Sequence, residues 1–135
     1  MSDASRKWLT VTMARPPPLV ALCLTPIEYQ RINVELKVID QSPWLVGDSD
    51  ATTHFLVGPK GRVSIVCLNG AIKLSKASAL PLLVHEAVHI WQAYAEHIKE
   101  DKPGAEQEAY AVQGISHALF TEYLRKKWPN RRTEK

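Results

Sequence analysis

The chain has 135 residues, 45% of them apolar and 23% charged, and a formal net charge of +3. This is the balance of one soluble globular domain. No apolar run approaches the ~20 residues of a membrane span, and Pro16, Pro17 and Pro18 break the N-terminal stretch that most resembles a signal peptide, so a cytoplasmic protein is expected. Much of the positive charge lies in the terminal "RKKWPNRRTEK", which reads as a solvated basic tail. With no basic strand interleaved with aromatics, no specific nucleic-acid partner is expected.

In chain order, residues 1–24 read as an irregular N-terminal segment, with "ARPPP" favouring extended backbone. Helix signals follow in "LTPIEYQRINVELKVI". Thr25 is an N-cap, Pro26 suits the first helical position and Glu28 completes a capping box. Ile27, Ile32, Leu36 and Ile39 form an apolar stripe, which predicts a helix over about 26–38. "DQSPWLVGDSD" is rich in turn residues and predicts a loop.

"ATTHFLVGPKGRVSIVCLNG" holds two β-rich runs around "GPKG", a hairpin pattern. Val63, Ile65 and Cys67 alternate with Ser64 and Val66, so one strand face is expected to be better buried. "AIKLS" suggests a further short extended piece. Cys23 and Cys67, each in an apolar run, are expected to be buried free thiols.

A second helix is expected over "SKASALPLLVHEAVHIWQAYAEHI". Ser75 or Ser78 would cap it, and Pro81 is tolerable only in a first turn. "KEDKPG" breaks the pattern, and "AEQEAYAVQGISHALFTEYLRKK" predicts a third helix. The order helix, hairpin, helix, helix shows no parallel crossover pattern. It predicts an α+β domain over residues 25–128, with a small antiparallel sheet packed on helices and a basic tail over 129–135.

The second helix carries "HEAVH". Residues four apart share a helix face, so His85 and His89 can hold one ion through imidazole nitrogens. Glu86, one step round from His85, is placed to act as general base toward a water on that ion. The neighbouring residues are nearly all apolar, and polar groups on a buried helix are costly unless satisfied, as a metal would satisfy them. Catalytic zinc sites usually take a third protein ligand. "AEQEAYAVQ" offers Glu106, in a polar stripe with Tyr110, Gln113 and His117, and Glu108, on the side of Val112, Ile115 and Leu119. Periodicity favours neither strongly.

"HEAVH" followed by "EQEAY" resembles the Glu-zincin metallopeptidases, including minimal and phage- or prophage-type members of about this size. The resemblance covers roughly residues 50–125, and the glutamate helix of that family reads E-x-x-A-D. It implies a minimal zincin-like fold and a Zn2+ cofactor held by His85, His89 and Glu106. Ala109 becomes the small residue of the pattern, and Tyr110 stands where the family has an acid. The implied activity is hydrolysis of a peptide or protein substrate with Glu86 as base, a hairpin strand within 52–68 pairing with the substrate. His117 or a tyrosine would assist the oxyanion. A different class of reading is a zincin-fold metal-binding or protein-interaction module without hydrolysis.

His54 reads as a half-buried strand residue and His97 as a helix-end residue suited to the dipole. Trp91 reads as core, and Gln92 as a hydrogen-bonding neighbour of the site.

Overall fold

A computed structural model describes residues 8–11, 18–72, 74–98 and 104–129. Its elements are β1 (Leu19–Cys23), α1 (Pro26–Glu35), β2 (Ala51–Gly58), β3 (Gly61–Leu68), α2 (Lys76–His97) and α3 (Ala105–Lys127). The class is α+β, as expected. The sheet, however, is mixed: its order is β1-β3-β2, with β1 parallel to β3 and β2 antiparallel to it.

The strand β1 corrects the reading of residues 1–24 as irregular and of a purely antiparallel sheet. "LVALC" is almost wholly buried, because helices cover both faces of the sheet. A strand covered on both faces is continuously apolar and shows no alternation. The same holds for β3, which is central. Val63, Ser64, Ile65, Val66, Cys67 and Leu68 are all buried, so neither face is favoured as expected. Val20, Leu22, Val66 and Leu68 pack with α2 and α3, while Ala21, Cys23, Val63, Ile65 and Cys67 pack with Tyr29 and Ile32 of α1. Upstream, Leu9 donates its N–H to Val20 O at 2.8 Å and Val11 is buried, so this part of the N-terminal segment belongs to the core. Residues 12–17, with the proline run, lie outside the described residues.

Helix α1 starts as its cap signals require: Thr25 Oγ1 accepts from Glu28 N–H at 3.2 Å. Glu28 reaches back one residue further than a simple capping box, accepting from Leu24 N–H at 2.7 Å. The helix stops at Glu35, earlier than expected. Lys37 takes a left-handed φ of 60°, and Val38 N–H bonds Asn33 O at 2.9 Å, a Schellman-type end. Its inner face is Tyr29, Ile32 and Asn33; Ile27 and Ile39 of the expected stripe are exposed.

The Pro59-Lys60 turn joins β2 to β3, with Gly58 opposite Gly61 and Gly61 at φ 123°. No strand forms at residues 71, 72, 74 and 75 of "AIKLS", Lys73 lying outside the described residues; just before them Gly70 N–H bonds Leu24 O at 3.0 Å. A Cβ on Gly70 would lie 2.6 Å from that oxygen, so only glycine fits there.

Ser75 caps α2, accepting from Ser78 N–H at 3.1 Å. Pro81 lies in the second turn rather than the first. An interior proline costs about 3 kcal/mol. The burial of Leu83 and Ile90 alone, at about 1.5–3 kcal/mol each, offsets it. Helix α3 spans the residues the periodicity predicts, and its C-terminal lysines are not all solvated. Lys126 Nζ donates to Leu22 O at 2.6 Å and pairs with Glu28 at 3.1 Å, and Lys127 Nζ donates to Gly70 O at 3.0 Å. Residues 130–135 of the expected tail lie outside the described residues. Cys23 and Cys67 are free and buried, as expected, and stand opposite each other on β1 and β3. No helix among the described residues is long and apolar enough to cross a membrane.

Candidate metal centre

Helix α2 sets the site by its pitch. At about 100° per residue, His85 and His89 project about 40° apart, and Glu86 about 60° beyond His89. Leu83, Ala87, Ile90, Trp91 and Tyr94 take the buried side, while His85 and His89 are exposed. The expectation of a histidine pair that needs a metal to relieve burial is therefore corrected. Only Glu86, at 6% exposure, is buried.

The two imidazoles nevertheless converge. His85 Nε2 and His89 Nε2 lie 3.2 Å apart, with the rings edge to face at 79°. Two nitrogens each ~2.0–2.1 Å from a tetrahedral ion would stand roughly 3.3 Å apart. The pair stands at N–H···N hydrogen-bond distance, a spacing that two nitrogens on one ion would also have. His89 Nδ1 lies 3.2 Å from Gln92 Oε1. That oxygen is an acceptor, which suits the His89 tautomer with its proton on Nδ1 and a lone pair on Nε2. Gln92, one turn on, thus takes the neighbouring role expected of it.

Glu86 points to the sheet. Its Oε1 accepts a 2.6 Å hydrogen bond from Thr53 Oγ1 of the edge strand β2. Thr53 was not a candidate in the sequence; the contact joins residues 33 apart and depends on the β2–β3 register, which places Thr53 opposite Val66.

Helix α3 runs back along α2, and its two glutamates part ways. Glu108 accepts from Trp91 Nε1–H at 2.8 Å, at the edge of the core contact. Glu106 is exposed in the first turn, in the same stripe as exposed Tyr110, Gln113 and His117. Glu106 is not drawn to the histidine pair: among the described residues, no three His, Cys, Asp or Glu side chains stand close enough to hold one ion. Two imidazoles this close, with a glutamine beside one of them, are donors of the type that zinc takes.

The other histidines have structural surroundings. His54 Nε2 lies 3.1 Å from Trp44 O and its ring stacks on Tyr29 at 4.7 Å. His97 closes the last turn of α2. His117 lines an apolar groove of about 760 Å³ between α2 and α3, with Leu80, Val84, Val112 and Phe120. No family model matches the chain, and neither a curated protein nor a solved structure does so.

Proposed function

We propose that this chain is a zinc-dependent metallopeptidase of minimal zincin-like build, cleaving peptide bonds in a peptide or protein substrate. The observation that carries the reading is the 3.2 Å convergence of His85 Nε2 and His89 Nε2, with Gln92 Oε1 beside His89 Nδ1. His85 and His89 would hold the metal, with Glu106 as the third protein ligand on the resemblance to Glu-zincins. Bound zinc would supply a Lewis acid that polarises the scissile carbonyl and acidifies a water.

The remaining chemistry belongs to the chain. Glu86 would take the proton of the attacking water on a carboxylate oxygen and pass it to the leaving amine. Its Oε1 is held by Thr53, and Oε2 would make that transfer. Val84, beside His85, borders the apolar α2–α3 groove, which would receive an apolar substrate side chain. Glu108 bonds Trp91 and would take no part on this reading.

A second reading has its own observation. Glu106 stands apart from the histidine pair, and Tyr110 in the acid position is 65% exposed. Both favour a module that binds metal through the pair without hydrolysis. Cleavage of a broad peptide library by zinc-loaded wild type and by Glu86→Gln separates the two. The peptidase reading expects cleavage that falls at least about 100-fold in Glu86→Gln while zinc is retained. Zinc without cleavage in the wild type supports the binding module.

A further inference from the structure

We infer that Thr53 is a positioning residue for Glu86, holding one carboxylate oxygen so that the other is presented for proton transfer. The inference rests on the peptidase reading above and assigns a role to a strand residue outside the helix motif.

Three observations carry it. Thr53 Oγ1 donates to Glu86 Oε1 at 2.6 Å, a well-formed hydrogen bond. Glu86 is 6% exposed, so water does little to hold it, and a buried carboxylate without a donor would be costly. Thr53 itself is fixed by β2–β3 pairing: His54 and Phe55 follow it in register against Ile65 and Ser64 of the buried central strand. The donor is therefore anchored in the sheet, and the acceptor in α2. A glutamate side chain has three rotatable bonds, and the hydroxyl removes most of that freedom at the carboxylate end. Alignment of a general base within hydrogen-bond reach is a geometric requirement before it is a matter of acidity.

A hydroxyl that merely satisfied a buried carboxylate would affect stability and leave turnover alone. A positioning hydroxyl affects kcat. The substitution Thr53→Val keeps shape and removes the donor; Thr53→Ser keeps the donor. With the zinc-loaded full chain, kcat is expected to fall roughly 10- to 100-fold in Thr53→Val. KM should move less than about twofold, zinc content should not change, and Thr53→Ser should recover most of the rate. Metal-free protein gives a readout independent of turnover. Urea midpoints of Thr53→Val, Glu86→Leu and the double variant are expected to be non-additive, because each substitution removes the one bond the two residues share. Should Thr53→Val fail to fold, Thr53→Ala takes its place in both measurements. A Thr53→Val enzyme with wild-type kcat, or additive midpoints, overturns the inference and leaves the peptidase reading standing. A wild type that binds zinc and cleaves nothing overturns the peptidase reading itself, and Thr53 then has no proton transfer to align.

Discussion

His85 Nε2 and His89 Nε2 face each other at 3.2 Å across one helical turn, and Gln92 Oε1 sits 3.2 Å from the far nitrogen of His89. The glutamine suits the tautomer of His89 that keeps a lone pair on Nε2. Gln92→Leu removes the acceptor while leaving an exposed helix position otherwise undisturbed. Zinc affinity is expected to fall about 10-fold or more, read by competition with a chromophoric chelator. Unchanged affinity would mean that His89 needs no such orientation.

Glu108 accepts a hydrogen bond from Trp91, a side chain only 2% exposed. Glu108→Ala strands a buried indole N–H and is expected to lower unfolding stability by about 1–3 kcal/mol. Glu108→Gln, which retains an acceptor, should lose less. Zinc content should be unaffected in both. Loss of zinc in Glu108→Ala with zinc retained in Glu106→Ala would reverse the assignment of the third ligand.

Alkaline pH should unfold the protein through Cys67. The Cys23 thiol beside it and its burial push the Cys67 thiol well above its ordinary value of 9.0. Burial likewise raises the Tyr29 and Tyr123 phenols above theirs. Each group stays protonated in the folded chain at pH values where the unfolded chain releases its proton. Their contribution is complete below the unfolded pKa and is lost as pH rises above it. Under reducing conditions, urea midpoints should be level to about pH 8.5 and fall beyond. Cys67 contributes up to about 1.4 kcal/mol per pH unit to that slope. Cys67→Ala should flatten the slope, and an unchanged slope would contradict the assignment.

What the sequence made legible was local. Thr25, Pro26 and Ser75 mark helix starts through short-range hydrogen bonds and a fixed φ, and they hold in the structure. The Pro59-Lys60 turn and the whole of α3 were likewise readable. The strand β1 was not, because five residues covered on both faces carry no period: α1, next in the chain, covers one face, and α2 and α3, far along it, cover the other. The motif residues His85, Glu86 and His89 were plain from spacing, yet their burial was not. Which side of α2 meets solvent depends on where the sheet and α3 pack. Thr53 lay hidden for the same reason, since its partner is set by strand register. Glu106 and Glu108 lie two residues apart on α3, and the Trp91 contact that sets Glu108 apart is a tertiary one.

Zinc stoichiometry by mass spectrometry under non-denaturing conditions tests whether His85 and His89 share one ion. After incubation with zinc and removal of the excess, one zinc per chain is expected in the wild type and in Glu86→Gln. None is expected in His85→Ala or His89→Ala, and a marked loss in Glu106→Ala. Zinc held equally by the wild type and both histidine variants would rule out a shared ion.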